Sequence, residues 1–353
     1  MDGIDTELLA RSYEPVLLFS RDGRGIDESF FPMDAAQFVA DSRLYAEGTA
    51  LVRPAGELTL DVLAALPKSE SAGHFLIYAL DDAYEFRGET EGWLRRSGEA
   101  PPAAPPAPVA TIDGSSAADA DGAQASFAFA ASRQLPHAVR DRVLARYSGC
   151  RDLIRHPPPY YYRVTSDRGY LVIQYWMFYA YNDWGLAHSG LNDHEGDWEA
   201  VFVYLRNDEP AYVAYSAHVG KPDTHPWSSD AFERRLDTHP VVYVACGSHA
   251  AYVASGQRDI VIRSAPGVDT PISYTDHAYG DSEESLGPGA RAEWGAPVDL
   301  DRQPWALNFA GRWGAAVTRL DAREIGRGAQ GPVGPAWQTE KWESPVEWAQ
   351  IPE

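Results

Sequence analysis

Apolar and polar positions alternate most regularly in the second half of the chain. Tyr160–Thr165 and Tyr170–Tyr181 are aromatic and β-branched runs on either side of a Ser166-Asp-Arg-Gly169 turn, which predicts a hairpin. Trp198–Leu205 has the same character and ends at the turn-like Arg206–Pro210. Ala211–His218 returns beside it, and Pro240–Ala245 adds a further strand. Elsewhere the period is helical. Asp34 reads as the N-cap of a helix through Leu44, and Thr59 caps another that stops at Pro67. Pro136–Tyr147 places Val139, Val143, Leu144 and Tyr147 on one stripe. Tyr13–Phe19 and His74–Tyr78 read as strands, and Gly92–Arg96 as a short helix. The predicted fold is mainly β, of the α+β kind: an antiparallel β-sandwich core with peripheral helices.

Between Ser97 and Ser126 the chain turns to Pro, Ala, Ser and Gly, as in Ala100-Pro-Pro-Ala-Ala-Pro-Pro-Ala-Pro108. Such a stretch cannot build a packed core and reads as a linker or surface insertion. The expected organisation is therefore 1–96 as a helix and strand part packed on the core, 97–126 as the insertion, and 127–353 as the sandwich carrying the site.

The charge balance narrows the functional classes. With 30 Lys and Arg against 51 Asp and Glu, the 353-residue chain has a formal net charge of -21. That excess repels phosphate backbones, so no nucleic-acid partner is expected. Two cysteines, Cys150 and Cys246, suit a reducing compartment. The first ten residues lack the basic and apolar regions of a signal peptide, and no run approaches the eighteen or so apolar residues of a membrane span. The expectation is a cytoplasmic protein without a transmembrane segment.

Chemistry concentrates in Asn182–Glu199, where Asp183, Asp193, Glu195, Asp197, Glu199, His188 and His194 fall within eighteen positions between apolar strands. Unpaired charges in such a setting are costly. If a strand begins near Asp197, alternation puts Asp197 and Glu199 on one face and Trp198 on the other. His194 lies upstream across Gly196, where the chain can bend. Carboxylates with an imidazole suit a divalent metal ion, Mg, Ca or Mn, with Zn also compatible. Seven of the ten histidines lie between 188 and 277, which predicts convergence on one site. Among them His249 stands out, at a Gly turn directly after a predicted buried strand. No G-x-S-x-G, G-x-x-x-x-G-K-[ST] or strand–G-x-G-x-x-G–helix pattern is present, which removes the usual hydrolase elbow and nucleotide folds.

Four blocks resemble the vacuolar protein sorting-associated protein 62 family: Pro15-Val-Leu-Leu-Phe with Phe30-Phe-Pro32, His194-Glu-Gly-Asp-Trp-Glu199, Val242–Tyr252, and Phe309-Ala-Gly-Arg-Trp-Gly314 with Gly331-Pro-Val-Gly-Pro335. The second block is also similar to the Gly-His-Arg-His-Asp-Trp-Glu heptapeptide of the necrosis-and-ethylene-inducing-like toxins. Those are β-sandwiches that hold a divalent cation beside a headgroup site. This resemblance implies metal-binding roles for His194, Asp197 and Glu199, with Asp183 as the upstream acidic ligand. Glu195-Gly196 stands where the toxins have Arg-His.

Two functions follow as expectations. The first is a divalent-cation-dependent enzyme, a hydrolase or a lyase/cyclase acting on a phosphorylated, diphosphate or carbonyl-bearing small molecule. Asp183, Asp197, Glu199 and His194 would hold the metal, and His194 and His249 would act as acid or base. Trp184, His188, Tyr175, Tyr179 and Tyr252 would contact the substrate. The alternative is a non-catalytic, cation-dependent protein that binds a lipid or sugar headgroup.

Overall fold

The computed structural model describes residues 5–21, 26–46, 51–78, 84–87, 93–96, 137–183, 193–217, 222–262, 272–314 and 331–352. The predicted hairpins form its larger sheet. Tyr161–Asp167 and Tyr170–Asn182 pair antiparallel across a turn in which Arg168 and Gly169 both have positive φ. His194–Arg206 and Glu209–Tyr215 do the same across Asn207 and Asp208, at φ 54° and 64°. Two successive left-handed residues match the twist of paired strands, and Gly, Asn and Asp tolerate that conformation best. In spatial order the sheet runs Asp223–Pro226, Glu209–Tyr215, His194–Arg206, Tyr170–Asn182, Tyr161–Asp167 and Val298–Asp299.

The second sheet runs Arg234–Arg235, His239–Val244, Val16–Phe19 and Asp281–Leu286, with Ala251–Tyr252 also on His239–Val244. One face of the larger sheet meets it. Tyr215 donates from its hydroxyl to Val241 O at 3.3 Å, and on the same face Tyr175 donates to Ala10 O of the helix Thr6–Ser12 at 2.7 Å. The other face carries Trp176, Phe178, Trp198 and Phe202 under helical cover. Phe178 meets Phe38 of the helix Ala35–Asp41 at 4.9 Å, and Phe202 meets Trp348 of the helix Pro345–Trp348 at 4.9 Å between ring centroids. Both central strands are thus buried on two faces, which explains their nearly continuous apolar sequence. The fold is mainly β with peripheral helices, as expected.

Several details differ from the sequence expectation. Val16–Phe19 pairs parallel with His239–Val244, and Val298–Asp299 parallel with Tyr161–Asp167, so the sheets are not wholly antiparallel. The Asp34-capped helix ends at Asp41 rather than Leu44. Ser42 folds its hydroxyl back onto Phe38 O at 2.6 Å, and Arg43–Tyr45 becomes a strand against Phe75–Ile77. Trp93–Arg96 is a strand paired with Tyr84–Arg87, not a helix. So short a segment gains more from a ladder partner than from one isolated helical turn. Thr59 caps its helix as predicted, accepting from Val62 N at 3.2 Å. The Pro/Ala-rich stretch at 97–126 lies outside the described residues. Cys150 and Cys246 are thiols rather than a disulfide. Among the described residues no helix is long and apolar enough to cross a membrane.

Candidate functional site

The acidic motif owes its geometry to Gly196. Pairing runs regularly from Leu171–Leu205 to Tyr179–Asp197, which puts Tyr179, Asp197 and Glu199 on the face toward the second sheet. Trp198 points the opposite way, into a cluster with Phe178, Trp305 and Trp313. At Gly196 the backbone has φ 64°, and the alternation breaks. His194 therefore joins the Asp197 face, with Nε2 at 3.7 Å from Asp197 Oδ1. Glu195 turns to the opposite face, where its Oε2 accepts from Tyr78 N at 3.3 Å.

The second half of the site is the turn after His239–Val244. Cys246, Gly247 and Ser248 lead into His249, whose own φ is 56°. A non-glycine residue in that conformation persists only where its surroundings fix it. Here they do. His249 N donates to Ala245 O at 2.9 Å, Gly247 N donates to Glu28 Oε2 at 2.9 Å, and Gly247 O accepts from Asp183 N at 2.8 Å. Asn182 spans both halves, its Nδ2 donating to Asp197 Oδ2 at 3.0 Å and to Ser248 O at 3.3 Å.

The imidazole of His249 is 1% exposed and lies between two carboxylates. Nδ1 is 3.0 Å from Asp197 Oδ2, and Nε2 is 3.6 Å from Glu28 Oε1. Nε2 makes no hydrogen bond among the described residues, so Glu28 acts on the ring by its charge rather than as a hydrogen-bond acceptor. Burial by itself would push its pKa down. The Glu28 charge and the Asp197 hydrogen bond outweigh that and raise it to about 10. For Glu28 burial is likewise the largest influence and would raise it, but the His249 charge prevails and holds it below the ordinary range. Asp197 is held low for the same reason, by His194 and His249 against its burial. Beside this triad Arg140 Nε approaches Asp183 Oδ2 at 2.6 Å. Asp183 remains raised, because burial exceeds the help it receives from Arg140.

The predicted site residues separate into groups. His194, Asp197, Tyr179 and His249 are brought together, and Asp183 joins them through Gly247. Glu199 is on the same face but half-buried, with no hydrogen bond or ion pair among the described residues. Its pKa is well raised, by burial first and then by Asp197. Tyr175 is four residues along the strand from Tyr179 and spends its hydroxyl on Ala10. Tyr252 is buried and donates to Asp276 Oδ2 at 2.6 Å, so its hydroxyl is also occupied. Trp184 and His188 lie outside the described residues.

Among the described residues, convergence of the histidines is limited to His194 and His249. His225 pairs with Asp223 on an edge strand at 2.8 Å, His239 contacts Glu14 O at 2.9 Å, and His277 stacks on Tyr279. They belong to separate strand edges, which nearness in sequence does not reveal. His188 and His218 lie outside the described residues.

Sequence analysis missed Glu28, Arg140 and Asn182. Two of them left a signal. Glu28 lies two residues before the apolar Phe30-Phe31-Pro32, and Arg140 sits on the stripe of Val143 and Tyr147, where an arginine implies a buried acid.

Part of the donor set expected for a divalent ion at the motif is engaged within the protein. Arg140 already neutralises Asp183. His249 Nδ1 is already engaged with Asp197 Oδ2. Among the described residues no three His, Cys, Asp or Glu side chains gather closely enough to hold one ion.

No family model matches the chain. It is similar to Vacuolar protein sorting-associated protein 62 of Saccharomyces cerevisiae, 29% identical over 120 residues. That match takes in 30% of this chain and 25% of the yeast protein, so it spans about a quarter of the relative's length. Among solved structures it is similar to Necrosis and Ethylene inducing Protein 2 from the causal agent of cocoa's Witches Broom disease, at 16% identity and a TM-score of 0.23. That superposition covers 41% of this chain and 51% of the other. A structure described as a toxin fold for microbial attack and plant defense gives 14% identity, coverage of 55% and 68%, and a TM-score of 0.28. NLPPya in complex with glucosamine gives 14%, coverage of 52% and 65%, and 0.27. Both resemblances noted in the sequence recur here.

Proposed function

We propose that this protein is a non-catalytic binding module that takes a polar headgroup, of a sugar or a lipid, at the acidic end of its sandwich. One observation carries the reading. Of the three carboxylates on the His194–Arg206 strand, Glu195 and Asp197 are held by hydrogen bonds, whereas Glu199, on the same face as Asp197, is half-buried and makes none among the described residues. An acid without a hydrogen-bond partner beside a buried anion suits a ligand that brings hydroxyl or ammonium donors. The enzymatic alternative needs a base able to take a proton near neutral pH. His249, the strongest sequence candidate, is held by Asp197 at 3.0 Å with Glu28 on its other side.

The test is titration of the full chain with glucosamine and, separately, with vesicles bearing ethanolamine headgroups, followed by tryptophan fluorescence. Saturable binding to either probe by the wild type, lost in Glu199→Gln while the fold is retained, supports the reading. Absence of binding to both, or equal binding by the variant, overturns it.

A further inference from the structure

The sequence asks for an external cation at the acidic motif; the structure engages two of its carboxylates from within. We infer that the Arg140 guanidinium on Asp183 and the His249 ring on Asp197 take the place of a divalent metal at this site, so that the protein folds and remains folded without one. The ligand reading above is independent of this.

The charge arrangement supports the inference from two directions. On one side, Asp183 is 1% exposed and would carry an unbalanced charge. Arg140 reaches it from the helix His137–Tyr147, with Nε at 2.6 Å from Oδ2, and extends toward Ser29 Oγ at 3.5 Å. Guanidinium stays charged at any ordinary pH, so this compensation is permanent. On the other side, His249 faces Asp197 at 3.0 Å and Glu28 at 3.6 Å. Asp197 Oδ2 already accepts from both Asn182 and His249. An entering ion would have to displace Arg140 from Asp183 or His249 from Asp197. Both steps expose a buried charge before any gain is made. The counter-ions come from distant parts of the sequence: Arg140 from a helix before the sheet, His249 from a turn beyond it, with Glu28 from the N-terminal part completing the triad. Each contributes an element that an ion bound by the motif alone would not require.

The experiment uses the purified full chain and needs no ligand. Metal content is measured after purification, and thermal melting is followed in chelator and then in excess Mg, Ca, Mn and Zn. The inference expects no stoichiometric metal and midpoints in all five conditions within about a degree. A cation present at a hundred times its dissociation constant would add about 2.7 kcal/mol, a shift of several degrees for a mid-sized chain. Such a shift in the wild type, or a co-purifying ion, overturns the inference. Arg140→Gln should melt lower and become responsive to at least one of the ions, because Asp183 is then uncompensated. Arg140→Lys, which restores the charge, should recover part of the loss and remain unresponsive. An Arg140→Gln variant as stable as the wild type would also overturn the inference, since Arg140 would then be neutralising nothing. If Arg140→Gln fails to fold, the wild-type and Arg140→Lys melts decide the question.

Discussion

The ring of Tyr179 lies flat on the ring of His249, with centroids 3.9 Å apart and planes 4° from parallel. The contact joins the larger sheet to the turn that carries the site. It also gives the buried imidazolium an aromatic face on the side its two carboxylates leave uncovered, an attraction of cation and ring quadrupole that strengthens out of water. The Tyr179 hydroxyl has no hydrogen-bond partner among the described residues. The ring, not the hydroxyl, is therefore what the site uses.

This separates two substitutions at the same position. Tyr179→Phe should change stability by less than about 1 kcal/mol, since it removes a buried oxygen that bonds to nothing. Tyr179→Ala should cost about 3–5 kcal/mol, from the cavity and the lost stacking. Guanidinium denaturation of the two variants measures both. A large loss in Tyr179→Phe would mean that the hydroxyl has a water or ligand partner of its own.

The imidazolium predicts a pH profile. His249 is raised from the ordinary 6.5 to about 10 in the folded state. Its contribution is therefore complete below about 6.5 and is lost as pH rises through about 10. Glu28 and Asp197 are lowered, so their contributions are present above their ordinary values and lost as pH falls below them. Stability should decline on both sides of neutrality. His249→Gln leaves two buried acids without their cation, at a cost of about 3–5 kcal/mol near neutral pH. Its alkaline decline between pH 7 and 10 should be shallower than that of the wild type. Parallel profiles over that range would show that His249 is not the titrating group.

Much of this site could be read from residue order alone. The alternation of Asp197, Trp198 and Glu199 gave their faces correctly, because a strand buried on both sides admits a single register. The Gly247-Ser-His249 turn was placed beside them by its position after an apolar strand. What could not be read were partnerships made through space. Glu28 meets His249 across 221 positions of chain, the interval between the two residue numbers. Local periodicity carries no information on that pairing. Nor does composition reveal that the positive charges needed by the acidic stretch are already in the chain. Counting acids near histidines points to a metal whether or not an arginine from another element arrives first.

Gly196 tests the motif at its backbone. A Cβ there would run into the carbonyl oxygen of Trp313, and the residue sits at φ 64°. Gly314, on the same strap of chain, is pressed equally close to the carbonyl of Glu195. Gly196→Ala combines a left-handed strain of about 1–2 kcal/mol with a backbone collision that no rotamer relieves. The expected loss is at least about 3 kcal/mol, read by denaturation. Because the same glycine switches His194 onto the Asp197 face, any folded remainder should also bind the headgroup probes more weakly. A variant with wild-type stability would show that the Trp313 strap moves freely, against the close packing seen around it.

Glu199 is where binding and stability oppose each other. Its pKa is raised well above the ordinary 4.5, by burial and then by the Asp197 charge, with Lys341 acting the other way. For an acid with a raised folded pKa the native state binds the extra proton, so stability falls as pH climbs above about 4.5. Ionising Glu199 in the folded state therefore weakens the fold. Glu199→Gln removes that penalty without changing the side chain's shape, and it should equal or exceed the wild type in stability at pH 7. It should also lack the part of the decline that begins near pH 4.5. A loss of more than about 1 kcal/mol at neutral pH would mean that the carboxylate has a fixed partner in the free protein. The combination expected here, a variant at least as stable that no longer binds the headgroup probes, is the behaviour of a residue retained for recognition at the expense of folding.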